Sequence, residues 1–436
     1  MQSRSDAWYS ATVRNDQLYP QLEGNHRVDV VVVGGGLTGV ASALELAERG
    51  YSVALVEAHR IGFGASGRNG GQITGSLSGD QAMLKQLRPI MGTAADDFVW
   101  NLRWRGHDII QQRVAQYSID CDLKYGHLHA AYKPSHMAEL IETAEEASSR
   151  GMAGQVKLLS REEMPHYIGT TLYHGGLFNQ RNMHVHSLNL CIGEARAAAS
   201  LGVKLFEDSL VTAIHHGHKQ GETPAVETAK GRIDADTVLL AGNAYHKLER
   251  RHLGGKLFPA SLANLTTAVL DEELAQEINP RDLAVYDTRF VLDYYRLTSD
   301  RRLMFGGGTN YSGRDSADVA AELRPAIERT FPQLRGIDID YQWTCRAGIT
   351  INRIPQIGRL SDNVYFAQGY SGHGIATSHI MAEITASAIA GTLEEFDRLA
   401  GLRSVRVPLT GQIGDAAGQA MLTLGMLYYQ VLERFR

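Results

Sequence analysis

Hydrophobic positions along the chain follow two alternating patterns: short unbroken apolar runs, and longer runs with a helical period. Residues 28–57 contain both patterns. The run VDVVVV predicts a buried strand, LTGVASALELAERG predicts a helix, and YSVALVE predicts a second strand. Residues 1–27 show no period and predict an irregular arm. A strand, a helix and a strand in succession are typical of the parallel sheets of α/β proteins.

The remaining residues continue this alternation, with more strands in the middle of the chain. Helical periodicity covers 80–119, and HMAELIETAEEASSRG predicts a helix that ends at Gly151. Residues 186–214 predict a helix followed by strands, and GRIDADTVLLAGNAY predicts a pair of strands. Residues 256–310 hold several strand candidates, and 340–400 return to strand, turn and helix. We therefore predict an α/β chain that weaves between a nucleotide-binding lobe and a strand-rich lobe.

Composition narrows the classes of protein that fit this pattern. The 436 residues carry 43 lysines and arginines against 48 aspartates and glutamates, a net charge of −5 with no dense basic run, so we expect no nucleic-acid partner. Three cysteines, Cys121, Cys191 and Cys345, favour a reducing compartment over a disulfide framework. The N-terminal MQSRSDAWYS lacks the pattern of a signal peptide, and no apolar run is long enough to span a membrane. We expect a cytoplasmic protein.

The first strand–helix junction carries a glycine motif. Gly34, Gly36 and Gly39 fit G-x-G-x-x-G between the first strand and the first helix. The first glycine permits the tight turn, the second lets a pyrophosphate approach the backbone, and the third lets the helix pack on the strand. Glu57 ends the next strand, where a carboxylate accepts hydrogen bonds from ribose hydroxyls. The frame predicts a dinucleotide site, with a purely structural glycine turn as the alternative.

Three further segments bear on which dinucleotide this is. FGASGRNGGQ, residues 63–72, is a small-residue loop that could lay backbone N–H groups over a flat cofactor, or could be an ordinary surface loop. DTVLLAGNAY breaks at Ala241–Gly242, and GYSGHGIATSHIMAEITASAIAG is a glycine loop that becomes a helix. The N-terminus of that helix could stabilise negative charge on a flavin ring. These segments favour FAD over a nicotinamide cofactor.

Together these stretches resemble a known family. VVVVGGGLTGVASALELAERG, VEAHRIGFGASGRNGGQ, LLAGNAY and NVYFAQGYSGHGIA are similar to the D-amino-acid oxidase, glycine oxidase and sarcosine oxidase superfamily of FAD enzymes. RIGFGASGRNGGQ, DTRFVLDYYRLTSDRRLMFGGG and GITINRIPQIGRL resemble its γ-glutamylputrescine oxidase branch, and an L-pipecolate oxidase is an alternative. The similarity extends over about residues 7–430.

The resemblance implies a Rossmann-like FAD-binding domain and a substrate domain built on an antiparallel sheet. The expected FAD-binding domain comprises 1–90, 150–250 and 340–400, and the expected substrate domain comprises 91–149 and 251–339. The resemblance also implies FAD, expected without a covalent bond, at these positions: Gly34, Gly36, Leu37, Thr38, Gly39, Glu57, Ala58, Ala65, Ser66, Arg68, Asn69, Gly70, Gly71, Gln72, Val211, Ala241, Gly242, Gly372, His373, Gly374 and Ile375.

The implied reaction is oxidation of the C–N bond of an amine or amino acid. A hydride passes to flavin N5, the imine hydrolyses, and oxygen or a quinone reoxidises the flavin. Candidate substrates are γ-glutamylputrescine, L-pipecolate, and N-carboxymethyl amines such as iminodiacetate or sarcosine. A quinone-linked dehydrogenase and a non-catalytic electron-relay subunit are the alternatives.

The resemblance also suggests residues on the substrate side. Arg346, in WTCRAGIT, is a candidate clamp for a substrate carboxylate, since a guanidinium offers a planar fork of donors, and a structural ion pair is the alternative. The γ-glutamylputrescine branch is expected to carry a lysine there, so the arginine is a departure that favours an amino-acid substrate. Tyr294, Tyr295 and Arg296 lie on one strand, and alternation places Tyr295 on the face opposite its two neighbours. His373 is expected at the entry of a helix beside the flavin, in a positioning role.

Two positions bear on flavin attachment and on the electron acceptor. Cys345 falls where some sarcosine oxidases form a thioether to the flavin, although buried cysteine is commonly part of the core. Met304 falls where those oxidases carry an oxygen-activating lysine, which leaves open an oxidase that uses oxygen by other means, a dehydrogenase, or a methionine that only packs.

We expect no metal site and a C-terminal helix. HHGH, from His215 to His218, and HVH, from His184 to His186, have no carboxylate or cysteine partners at ligand spacing. In the segment 401–436, AAGQAMLTLGMLYYQVLERFR predicts an apolar helix that packs on the body or lies peripherally on a membrane surface, at its inner face.

Overall fold

The computed structural model describes residues 7–217, 223–407 and 411–435. Its strands are β1 (Gly24–Val33), β2 (Val53–Val56), β3 (Gln72–Ile73), β4 (Lys124–Ala130), β5 (Val156–Leu159), β6 (Gly176–His184), β7 (Lys204–Phe206), β8 (Ala213–His215), β9 (Ala225–Glu227), β10 (Gly231–Leu240), β11 (Phe258–Thr267), β12 (Ala284–Asp287), β13 (Tyr294–Leu297), β14 (Leu303–Asn310), β15 (Ile339–Ile349), β16 (Gln356–Ser361) and β17 (Val364–Gln368).

The helices precede, separate and follow these strands along the chain. They are α1 (Trp8–Ala11), α2 (Leu37–Glu48), α3 (Asp80–Met91), α4 (Ala94–Gln116), α5 (Met137–Ala147), α6 (Ser187–Ser200), α7 (Arg250–Leu253), α8 (Glu272–Ile278), α9 (Val319–Thr330), α10 (Gly374–Ile389), α11 (Glu394–Ala400) and α12 (Gly411–Phe435). The helical pattern over 80–119 is thus two helices, which are separated at Gly92, where φ is +62°. GRIDADTVLLAGNAY forms the single long strand β10 and not a pair.

The first sheet is the nucleotide-binding sheet predicted from residues 28–57. Its order is β16-β17-β10-β1-β2-β7, with β9 on β10 and β8 on β9. The pairs β1–β10, β1–β2, β10–β17 and β2–β7 are parallel. Both faces are covered, because Val30 and Val32 belong to one core cluster while Val31 and Val33 belong to another. A continuous apolar run is what such a doubly covered strand requires.

The second sheet has the order β15-β11-β14-β13-β12-β4-β6-β3, with β5 on β6. Its pairs are antiparallel except β12–β4. One face packs on a core that includes Tyr295 and Phe305 and receives α8 and α9. The predicted fold class, an α/β nucleotide-binding lobe with a second lobe on a largely antiparallel sheet, is confirmed.

The chain passes between the two sheets more often than the predicted domain ranges provide for. β5 and β6 lie within 150–250, and most of β15 lies within 340–400, yet all three belong to the second sheet. In the other direction, α4 lies within 91–149 but packs on α10. Apolar patterns reveal strands, whereas the sheet that a strand joins is decided by tertiary contacts.

The C-terminal helix α12 packs on the body. Gly418 lies so close to Phe258 of β11 that a Cβ there would overlap the phenyl ring. Met421, Leu424, Leu427 and Tyr428 are exposed on α12. No helix among the described residues is long and apolar enough to cross a membrane. Contact of this segment with a membrane surface stays a prediction.

Candidate cofactor and substrate site

A cavity of about 1000 Å³ lies between the two sheets. Val33, Val56 and Ala241, at the carboxyl ends of β1, β2 and β10, line one part, and the second sheet closes the other through β11–β14. This volume is at the upper end of the range for ligand pockets, roughly 300–1,000 Å³. The cavity is therefore large enough for an extended cofactor.

Most of the site residues expected from the sequence line this cavity. They are Gly34, Gly36, Leu37, Thr38, Glu57, Ala58, Ala65, Ser66, Asn69, Gly70, Gln72, Val211, Ala241, Gly242, Tyr294, Gly372, His373, Gly374 and Ile375. Those that do not line it are Gly39, Arg68, Gly71, Tyr295, Arg296, Met304, Cys345 and Arg346.

The glycine turn after β1 forms a cradle that side chains would fill. Gly34 has φ +113°, and a Cβ there would lie 2.9 Å from the carbonyl carbon of Ala241. A Cβ on Gly36 would lie 2.8 Å from Ser66 Oγ. Gly39 supports the turn from behind, because a Cβ there would overlap the Gly34 carbonyl oxygen. The cradle brings the cavity close to the N-terminus of α2, where the Leu37 N–H donates to Ser66 Oγ at 2.9 Å, and a helix N-terminus favours a phosphate.

Glu57 stands directly after β2. Its Oε2 accepts a hydrogen bond from the Gly35 N–H at 2.6 Å, and its Oε1 accepts one from the His59 N–H at 2.9 Å. Burial raises the pKa of the carboxyl although both N–H groups lower it. Each carboxylate oxygen can accept a further hydrogen bond, so a fixed acceptor faces the cavity where a ribose hydroxyl is expected.

The loop 63–72 is held by its own side chains. Asn69 Nδ2 donates to Ser187 Oγ at 2.8 Å, and Asn69 Oδ1 accepts from the Gly71 N–H at 2.7 Å. The Arg68 guanidinium does not line the cavity; it donates to the Phe63 carbonyl at 2.7 Å and lies 4.5 Å from the Phe63 ring centroid. The loop therefore presents a fixed wall of small residues to the cavity.

The first turn of α10 forms the opposite wall. His373 Nδ1 lies 3.0 Å from Thr74 Oγ1, and burial lowers the pKa of its imidazole. The hydroxyls of Tyr370 and Thr38 are 2.7 Å apart and tie this turn to α2. The N-termini of two helices thus converge on one cavity, which favours bound negative charge.

Tyr294 forms part of the wall supplied by the second sheet. Its hydroxyl donates to Asn264 Oδ1 at 2.8 Å. A Cβ on Gly70 would lie 2.5 Å from its ring, and a Cβ on Gly306 would overlap the ring. Two glycines therefore make the space in which the tyrosine is held beside the cavity.

Tyr295 and Met304 lie away from the cavity. The Tyr295 ring stacks on Phe305, and its hydroxyl donates to the Tyr173 hydroxyl at 3.1 Å in the core on the other face of the sheet. Met304 is buried, with Tyr9 Oη 3.6 Å from its sulfur. Neither side chain is placed to touch a ligand in the cavity.

Arg346, the guanidinium expected in the site, does not line the cavity, and Arg353 lines it instead. The Arg346 side chain is 50% exposed and pairs with Asp315 at 3.3 Å, outside the cavity. Arg353, in the turn before β16, lines the cavity and donates from Nη2 to the Tyr311 hydroxyl at 2.9 Å. The guanidinium that lines the site is therefore one that sequence reasoning missed.

The cradle, the acceptor at Glu57 and the two helix N-termini fit a dinucleotide, and the comparisons identify the family. A model of the family described as FAD dependent oxidoreductase (DAO) matches residues 29–388. The chain belongs to this DAO family of FAD-dependent oxidoreductases. Members of the family bind FAD, and the cavity residues fit it.

Relatives and solved structures agree with this assignment. The chain is 38% identical to the gamma-glutamylputrescine oxidoreductase of Escherichia coli (strain K12) over 445 aligned residues, 100% of this chain and 99% of that protein. It is 35% identical to the probable oxidoreductase OrdL of Haemophilus influenzae, covering 99% of this chain and 97% of that one. The fold is similar to that of the glycine oxidase of Geobacillus kaustophilus, with a TM-score of 0.69 and 20% identity over 84% of this chain and 95% of that one.

Cys345 is buried in this DAO-family oxidoreductase and does not line the cavity. Burial raises the pKa of its thiol to about 12, against the lowering by Arg68. A thiol that stays protonated is a poor nucleophile. The geometry gives no support to a covalent flavin at this residue.

The histidine runs have structural roles where the structure describes them. His186 caps α6, with its Nδ1 accepting from the Asn189 N–H at 3.1 Å, and His184 Nε2 lies 3.0 Å from the Asp282 carbonyl oxygen. His216 lies between Ser361 and Glu249, while His218 falls outside the described residues. No cluster of three or more potential metal ligands occurs among the described residues.

Sequence reasoning also missed an aromatic group on the substrate side. Tyr286 lines the cavity, and the rings of His127 and His129 lie 4.6 and 4.2 Å from its ring centroid. Burial lowers the pKa of both histidines, that of His129 to about 3. KYGHLHAAYK shows the alternation of β4, but alternation does not reveal that β4 pairs with β12 and faces Tyr286.

Proposed function

We propose that this FAD-dependent oxidoreductase oxidises the C–N bond of an amine that also carries a carboxylate, with γ-glutamylputrescine as the first candidate. The observation that carries the proposal is the position of Arg353, whose guanidinium lines the cavity beside second-sheet residues. A guanidinium binds a carboxylate through a planar pair of donors. The E. coli relative, named for γ-glutamylputrescine, supports this candidate.

The charges along the cavity support a carboxylated substrate over a free diamine. Among the described residues that line the cavity, Glu57 is the one carboxylate, and it stands at the nucleotide end after β2. A diamine would therefore bring its positive charges to a region that offers Arg353 and no acid. A substrate with a carboxylate offsets the arginine instead.

Aromatic and neutral groups complete the proposed substrate region. Tyr294, Tyr286 and Tyr311 line the cavity and can enclose an alkyl chain or an amine. Because burial lowers the pKa of His373, its ring is neutral at pH 7 and does not repel a substrate ammonium. FAD, when bound, supplies the electron acceptor for the oxidation.

The substrate class is tested by anaerobic reduction of the bound flavin. The FAD-loaded enzyme is mixed with γ-glutamylputrescine, L-pipecolate, sarcosine or iminodiacetate, and the visible flavin band is followed. We expect γ-glutamylputrescine to bleach the band fastest. Rapid reoxidation on admitting air identifies an oxidase, whereas a flavin that stays reduced identifies a dehydrogenase that needs a quinone. A panel in which no compound bleaches the flavin contradicts the proposal.

The two arginines give a second, residue-level test. We expect Arg353→Gln to raise the KM for γ-glutamylputrescine by about 30-fold or more, since a charged hydrogen-bonded partner is worth roughly 2 kcal/mol or more. Arg346→Gln, at an exposed ion pair, should change the KM less than about twofold. The reverse result would restore Arg346 as the carboxylate clamp and contradict the role of Arg353.

A further inference from the structure

The C-terminal helix α12 is docked against the outside of the proposed substrate region. Asp415 pairs with Arg250 and accepts a hydrogen bond from the Gly255 N–H at 3.1 Å. Leu422 packs on the apolar cluster of Ala260, Tyr311, Ala347 and Ile349, of which the last three line the cavity. One stretch of α12, from Asp415 to Leu422, therefore forms an outer layer behind the cavity wall.

Gln419 is the polar contact between this helix and the wall. Its Nε2 donates to the Pro259 carbonyl at 2.8 Å and also to the Tyr311 carbonyl. Tyr311 is 7% exposed, and its hydroxyl accepts the hydrogen bond from Arg353. The Arg353 guanidinium carbon lies 5.2 Å from the Tyr311 ring centroid. A chain of contacts thus runs from α12 through one tyrosine to the arginine in the cavity.

Arg353 lies in a turn, so its guanidinium needs contacts with other residues to hold it in one position. Its backbone has φ +64°, in a turn, and a long guanidinium side chain loses much rotamer freedom when it is fixed. Among the described residues, Tyr311 alone accepts a hydrogen bond from the Arg353 side chain. The position of Tyr311 therefore decides where the guanidinium points.

We propose that Gln419 is a positioning residue, which fixes Tyr311 and through it Arg353, so that α12 sets the affinity for the substrate carboxylate without touching the substrate. The inference rests on the proposed function, in which Arg353 binds that carboxylate. It gives the C-terminal helix a role in substrate specificity in addition to packing.

The test is a double-variant comparison on the FAD-loaded enzyme with γ-glutamylputrescine. We expect Gln419→Leu to raise the KM by about five- to tenfold, the factor that corresponds to one hydrogen bond, and to leave kcat within about twofold. In a Tyr311→Phe background, which lacks the hydroxyl bonded to Arg353, the same change should have no further effect on the KM. A merely structural role would instead give effects that multiply.

The matched control is Gln276→Leu. Gln276 Nε2 also donates to a proline carbonyl, that of Pro280, at 3.0 Å on the surface, so its loss should leave the KM unchanged. Gln419→Met, similar in length to glutamine but without the donor, replaces Gln419→Leu if that variant loses FAD. If both variants lose FAD, Gln419 is structural and the proposal is overturned.

The remaining outcomes separate this inference from the proposed function. A raised KM in Arg353→Gln with an unchanged KM in Gln419→Leu overturns the role of Gln419 alone. An unchanged KM in Arg353→Gln, or a flavin that no compound of the panel reduces, overturns the proposed function and this inference with it. Multiplying effects in the double variant also overturn the role of Gln419.

Discussion

Tyr294 and Tyr295 are neighbours in sequence with different surroundings. Alternation along β13 places them on opposite faces of the sheet, as the sequence predicts. It does not tell which face borders the cavity, because that depends on the glycines that admit the Tyr294 ring and on the core that receives Tyr295. The pattern thus assigns the two tyrosines to opposite faces of the sheet, and packing determines which face borders the cavity.

The wall at Tyr294 gives a prediction. Gly306→Ala places a methyl group where the Tyr294 ring lies, so the ring must shift from its place in the cavity wall. We expect kcat/KM to fall by about tenfold or more, as measured on the FAD-loaded variant. Gly154→Ala, with open space around it, is the matched control. Equal activities would show that Tyr294 does not shape the site.

Cys345 gives a second prediction. Because burial keeps the thiol protonated and the side chain does not line the cavity, the flavin should be held without a covalent bond. After precipitation with acid, all the yellow colour should remain in the supernatant. A yellow pellet from the native protein, together with a colourless pellet from Cys345→Ser, would contradict this expectation.

At the scale of elements, the structure around the glycine motif, residues 34–57, could be predicted from the sequence. Its features are local: the glycine positions, the order of strand, helix and strand, and the acid after β2. Each depends on backbone geometry that neighbouring residues determine. Arg353 is different, because a turn residue belongs to no periodic pattern. Its approach to the cavity depends on how the turn before β16 meets Tyr311.

Helix α10 is fixed to its neighbours by a buried charge network. Glu194 Oε1 lies 2.9 Å from His379 Nε2 and 3.2 Å from Arg113 Nη1, and Arg113 pairs with Glu45 of α2 at 2.6 Å. Burial raises the pKa of Glu194, but the interactions with His379 and Arg113 outweigh the burial, so the pKa lies below its ordinary value. The network joins α10 and α2, the two helices whose N-termini face the cavity.

Breaking this network should destabilise the protein strongly. Arg113→Met leaves buried carboxylates without their cation, for which we expect a loss of about 3–5 kcal/mol and weaker FAD retention. Arg49→Met removes another arginine that pairs with Glu45, at 3.3 Å nearer the surface, and should cost less than about 0.5 kcal/mol. The measurement is the urea concentration at the midpoint of unfolding, compared between the native protein and both variants. Similar midpoints would show that the buried network contributes little.

At the scale of the whole molecule, the order of strands in each sheet could not be predicted from the sequence. The strands β5 and β6 and most of β15 lie in ranges predicted for the FAD-binding domain, yet all three belong to the second sheet. Strand pairing at long range depends on the register and packing of distant segments, which a one-dimensional pattern does not encode. The fold class could be predicted because it needs the elements and their alternation alone.

Buried histidines make the stability of the whole molecule depend on pH. Burial lowers the pKa of His107 and His246 to about 4, lowers that of His129 and His186 to about 3, and holds those of His127 and His184 well below the ordinary value. In the unfolded chain these groups bind protons near pH 6.5. The unfolded state therefore binds more protons between about pH 6.5 and 4, so stability is lost as the pH falls through that window.

We expect the melting temperature to fall by about 5 °C or more between pH 7 and pH 5.5. Asp287, whose pKa burial raises to about 6, stabilises the folded state as the pH falls, but it is a single group against the six histidines. His107→Leu should flatten the pH dependence, whereas His166→Leu, at an exposed position, should leave it unchanged. A melting temperature that does not change with pH would contradict the assignment of these histidines as neutral.

The measurement that tests the central claim most directly compares γ-glutamylputrescine with putrescine in anaerobic stopped flow. Putrescine has the same amine chain but no carboxylate. We predict that γ-glutamylputrescine reduces the flavin of the native protein far faster at low concentration, and that Arg353→Gln removes most of this preference. Equal rates for the two amines in the native protein, or an unchanged preference in Arg353→Gln, would contradict the account.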